Sequence, residues 1–99
     1  MAEFVGSEDK DKLCIILATN LPVLRAKVGL SQNDLADRLG FSRQTISAIE
    51  NGKRKMQWST FVAITLFFST DCEIREHMAI MGILNDEVEE MLIIEKKKL

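Results

Sequence analysis

Apolar side chains recur every three to four residues along the chain, the spacing that lines one face of an α-helix, and the pattern predicts an all-α protein. A first helix is expected to begin near Ser7, with Glu8 and Asp9 in its positive-dipole first turn and Leu13, Ile16, Leu17, Leu24 and Val28 on one face. Pro22 interrupts that stretch. Proline has no N–H to bond the carbonyl of Ala18, so the expectation is a kink or break near residues 18–21, or a new helix capped by Asn20. Gly29 closes the segment. Ser31 is placed to cap a short helix over 32–39 with Leu35, Ala36 and Leu39 on one side, and Gly40 stops it. Ser42 then caps a helix over 43–50, where Ile46 and Ile49 mark the inward side and Asn51-Gly52 forms the closing turn.

A fourth helix is expected over about 59–69, apolar on nearly every side through Phe61, Val62, Ile64, Leu66, Phe67 and Phe68, and hence central to the core. A fifth, over about 72–81, uses Ile74, Met78 and Met81 and ends at Gly82. A last segment restarts at Asn85, with Asp86 and Glu87 in its first turn and Lys96, Lys97 and Lys98 in its last, charges that suit both ends of a helix dipole. No repeat, low-complexity tract or Gly/Ser linker divides the chain.

Composition narrows the class. With 99 residues, 46% hydrophobic, 28% charged, five Gly and one Pro, the sequence is that of a folded globular domain with a short appendage. Cys14 and Cys72 are single and far apart, which fits buried free thiols in a reducing cytosol better than a disulfide framework or a metal pair. The N-terminal residues lack a signal-peptide profile, and the longest apolar run, 58–68, falls far short of the roughly 20 residues of a membrane span. A cytoplasmic location follows as the expectation. Net charge is −2, but it is unevenly spread: residues 1–24 carry −2, residues 25–55 carry +4 and residues 56–99 carry −4. A basic middle between acidic ends suits one polyanion-facing surface.

That middle block contains the informative stretch, QNDLADRLGFSRQTISAIEN over 32–51, which reads as helix, three-residue turn and helix. Ala36 is small where the second helix must approach, Gly40 permits a left-handed turn residue, and Leu35, Ile46 and Ile49 supply the apolar contacts between the two helices. With Leu24-Arg25 upstream, Gly29-Leu30-Ser31-Gln32 at the entry and Ile49-Glu50-Asn51-Gly52-Lys53 at the exit, the sequence resembles the Cro and phage-repressor family of bacterial DNA-binding domains, often called the XRE family. The likeness runs from about 20 to 70. It implies a five-helix, repressor-like DNA-binding domain over 10–70, with its motif over 32–51, whose third helix enters the major groove of double-stranded DNA. Residues 71–99 have no counterpart and are read as a C-terminal helical extension, a candidate dimerisation element. Pro22 is a second departure.

Helical geometry selects the DNA-facing side chains. With Ile46 and Ile49 inward, a rotation of 100° per residue sends Gln44, Ser47 and Ala48 outward and leaves Arg43 at the leading tip. Arg and Gln can each give paired hydrogen bonds to purine edges, and an Ala methyl can pack on thymine. The family's base-reading positions fall here on Arg43, Gln44 and Ala48, and its phosphate anchors on Gln32 and Asn51. Ser42, Thr45, Lys53, Arg54 and Lys55 join the phosphate set on charge and location. The resemblance also implies a structural ion pair between Glu50 and Arg25, repression as the default role, and a homodimer. For the dimer contact, Leu84, Val88, Met91 and Leu92 form an apolar stripe on the last segment.

Other classes find less support. His77 is the only histidine and stands in EIREHM, which has no HExxH spacing, and there is no GxGxxG, P-loop or GxSxG motif. The expectation is therefore no enzyme, no metal, no cofactor and no membrane partner, with a small-molecule effector left open. Two alternatives on the same fold are a protein-interaction module and a DNA-binding antitoxin whose tail binds a toxin.

Overall fold

In a computed structural model, which describes residues 7–84 together with 88 and 90, five helices follow one another: α1 (Ser7–Val28), α2 (Gln32–Leu39), α3 (Arg43–Glu50), α4 (Trp58–Phe68) and α5 (Cys72–Ile80). No strand occurs among the described residues. The fold is all-α, as the periodicity implied.

α1 is one unbroken helix of 22 residues with Pro22 inside it, which corrects the expected break. The reason lies in what surrounds the proline. Leu17, Leu21 and Leu24 are fully buried on one face, before and after Pro22, while Pro22 itself is exposed. Burying a leucine contributes about 1.5–3 kcal/mol, so anchors on both sides offset a lost backbone bond on the solvent side. Asn20 does not cap a new helix either. Its Nδ2 donates to the carbonyl of Ile16 at 2.8 Å, one turn back along the same helix.

The short helices are defined by their caps. Ser31 Oγ accepts from the backbone N–H of Asp34 at 3.0 Å, and Asp34 Oδ2 accepts in return from the N–H of Ser31 at 3.0 Å, a reciprocal capping box. The bond from the Ser31 backbone N–H and, after it, one with the Ser31 side chain hold the Asp34 carboxyl below its ordinary range. At the other end Gly40, at φ 77°, turns the chain left-handed. Ser42 Oγ accepts from the N–H of Thr45 at 3.1 Å and starts α3 after only Gly40, Phe41 and Ser42.

α2 packs on α3, and α1 packs on both α3 and α4. One hydrophobic cluster joins Leu13, Leu17, Leu21 and Leu24 of α1 to Leu35, Ile46 and Ile49 of the motif and to Phe61, Ile64 and Phe68 of α4. Ile74 and Met78 of α5 belong to the same cluster, as do Ile83, Leu84 and Val88. The segment after residue 70 is thus tied into the core, and the first four helices and the extension share one interior that includes Val88. Cys14 is buried, as expected, whereas Cys72 is exposed on the first turn of α5. Among the described residues no single helix is long and apolar enough to cross a membrane.

Candidate nucleic-acid interface

Because Ile46 and Ile49 are buried against α1 and α2, the other sides of α3 are left to the surface. Arg43 and Gln44 are exposed, and Ser47 and Ala48 are half-buried one turn further on. The leading end of α3 has an unusual charge. α1, α2 and α5 each carry an acid in their first turn and α3 and α4 carry none, but only α3 opens with a basic residue, Arg43, against the preference of a helix N-terminus for negative charge. An anion in front of that terminus would satisfy both the dipole and the guanidinium.

Behind Arg43 lies a chain of polar contacts that anchors it to three helices. Arg25 of α1 grips Glu50 of α3 with two bonds, Nε to Oε2 at 2.6 Å and Nη2 to Oε1 at 2.9 Å, and its Nη1 donates to the carbonyl of Leu30 at 3.0 Å. The pair is largely desolvated, with side chains 15% and 6% exposed. The hydrogen bonds that Arg25 donates to the Glu50 carboxylate hold its guanidinium even above its ordinary range. Gln32, the first residue of α2, donates its Nε2 to Glu50 Oε1 at 2.9 Å. That bond orients the amide, because an acidic acceptor takes the nitrogen and leaves Oε1 outward. Arg43 Nη1 donates to this Oε1 at 3.3 Å. Gln32, expected from the resemblance to anchor phosphate, therefore also links the buried ion pair to the leading side chain of α3.

Among the other expected phosphate contacts, Ser42 and Thr45 are joined to each other, their hydroxyls 2.9 Å apart at the start of α3. Asn51 accepts from the N–H of Lys53 at 3.1 Å through Oδ1, which shapes the turn after α3. Backbone N–H groups of Lys53 and Arg54 both bond the carbonyl of Ala48, at 2.9 and 3.1 Å, and hold the basic loop against the end of α3. Lys53, Arg54 and Lys55 are exposed. Lys55, however, reaches back to α1, its Nζ 3.1 Å from Asp11 Oδ1. That pairing joins residues 44 positions apart in sequence, and no local motif signals it.

The expected dimer stripe requires a correction. Leu84 is 6% exposed and Val88 1%, both inside the cluster of their own chain, so neither is open to a second copy. Leu84 follows α5 directly, and its backbone N–H bonds the carbonyl of Met78 at 3.3 Å. Met91 and Leu92 lie outside the described residues. Among the described residues no group of three or more His, Cys, Asp or Glu side chains is placed to hold a metal ion.

Comparison with known proteins agrees with this geometry. A family model described as a helix-turn-helix domain matches residues 16–78. The chain is 42% identical over 57 residues to a protein of Methanocaldococcus jannaschii named as an uncharacterized HTH-type transcriptional regulator, covering 58% of this chain and 86% of the relative. No solved structure gives a significant match.

Proposed function

The chain belongs to the helix-turn-helix domain family, and from that premise we propose that it binds double-stranded DNA sequence-specifically and regulates transcription, as a repressor of the Cro and phage-repressor type. The observation that carries the reading is the arrangement around α3: an exposed Arg43 and Gln44 on a helix whose first turn holds no acid, braced from behind by Gln32 and the Arg25–Glu50 pair. Arg43, Gln44, Ser47 and Ala48 face the base edges in this reading. Gln32, Ser42, Thr45, Asn51, Lys53, Arg54 and Lys55 flank them toward the phosphates. The M. jannaschii relative, named as a transcriptional regulator, supports the same role.

One short helix covers only a few base pairs, so useful discrimination calls for two copies on half-sites about one helical turn apart. We place the contact between copies on α5, where Ile80 is 85% exposed at the C-terminal end. Repression follows from occupancy of a promoter by such a pair.

Selection of bound duplexes from a random pool, followed by a salt titration on the selected site, tests the proposal. The expected result is an enriched site with two related half-sites, and an affinity that falls by about 10³ to 10⁵ between 50 and 200 mM salt if six to ten phosphates are neutralised. No binding to any duplex at low salt overturns it.

A further inference from the structure

Resting on the DNA-binding reading, we propose that Asp11 sets the sequence-independent part of the affinity by competing with DNA phosphate for Lys55. Lys53, Arg54 and Lys55 lie in one exposed loop beside the end of α3, the place where a phosphate backbone must pass if α3 enters a groove. Among the described residues, neither Lys53 nor Arg54 has a carboxylate partner. Lys55 has one. Asp11 and Lys55 face each other across a cleft of about 270 Å³ between α1 and the loop, bordered also by Cys14, Ile15, Arg54 and Met56.

The contact is weak enough to be exchanged. Lys55 is 72% exposed and Asp11 56%, and such pairs contribute about 0.2–1 kcal/mol in water. The other carboxylate that lines the cleft, Glu50, is already occupied by Arg25 and Gln32. When DNA arrives, Lys55 can reach a phosphate only by leaving Asp11. Where Lys55 stays with Asp11 it neutralises no phosphate and releases no counterion, so this contact adds less than a full unit to the salt dependence. The competition lowers affinity for any sequence, since it involves no base. The consequence is a binder whose non-specific affinity is held down by a residue on the far side of the cleft from the reading helix.

Binding of the full chain to a random-sequence duplex, followed by fluorescence anisotropy across a range of salt concentrations, tests this with four proteins: the unaltered chain, Asp11→Asn, Lys55→Gln and the double variant. Both sites are exposed, and unchanged melting temperatures establish that the variants remain folded. The proposal predicts that Asp11→Asn tightens binding about 1.4- to fivefold at low salt, the pairing energy converted to affinity. It also predicts a salt slope steeper by up to about one unit. In the Lys55→Gln background the same substitution should gain little. Wild-type affinity in Asp11→Asn overturns the proposal. An equal gain with and without Lys55 overturns it too, because it shows general repulsion instead of competition. Failure of the unaltered chain to bind any duplex is a separate result that removes the DNA-binding reading itself, and this proposal with it.

Discussion

Single residues show both how far local chemistry reaches and where it stops. Ser31, Gly40 and Ser42 do what their types suggest, because a cap or a left-handed turn depends on atoms within three or four positions. Gln32 shows the limit: its partners, Glu50 and Arg43, come from another helix, and only the packing of α2 on α3 brings them within bonding distance. Thr65 is a residue at which the core carries an unused polar group. It is fully buried on α4, and its Oγ1 has no hydrogen-bond partner. An unsatisfied buried hydroxyl costs about 1–3 kcal/mol, and valine has nearly the same shape. Thr65→Val is therefore expected to raise stability by about 1 kcal/mol or more. Urea unfolding would show this as a higher midpoint at unchanged slope; a lower midpoint would mean that the hydroxyl finds a partner.

At the scale of helices, the motif was legible because it is built from short-range rules, and α1 was not, because its continuity is decided from outside. Ala36, Leu35, Ile46 and Ile49 occupy the buried positions that the pattern assigned to them. The three-residue turn falls at Gly40 to Ser42. By contrast, local propensity argued for a break at Pro22, and burial of Leu21 and Leu24 prevailed. Met56, 3% exposed between a basic run and α4, gave no periodic signal and is nonetheless core. The capping box on α2 also makes a pH-dependent contribution. The Asp34 carboxyl is held below its ordinary value of 3.8, so its stabilising bonds are fully present above that value and are lost as pH falls through the lower folded value. Melting temperatures of the unaltered chain and Asp34→Ala should thus differ at neutral pH and converge in strong acid. A constant difference across that range would assign the effect of the substitution to something other than the carboxylate.

Seen as a whole molecule, the chain places its buried ion pair, its basic loop and the exposed end of α3 around one rigid junction of α1, α2 and α3. The net charge of −2 conceals this, and the block from 25 to 55 revealed it only as an excess of +4. The spacing of Leu84 and Val88 suits a fold back onto the fifth helix or the Phe-rich core as well as a second copy, and their burial selects the first. Dimerisation through Ile80 predicts that Ile80→Asp weakens cooperative binding to a two-half-site duplex while leaving a single half-site unaffected; sedimentation of both complexes distinguishes one bound copy from two. The central claim is that α3 reads sequence with Arg43. It is tested most directly by comparing affinities of the unaltered chain and Arg43→Ala for the selected site and for a random duplex at one salt concentration. The account predicts a loss of about 1–3 kcal/mol on the selected site and a much smaller change on random DNA. Equal losses on both would contradict it, and would reduce Arg43 to one more phosphate contact.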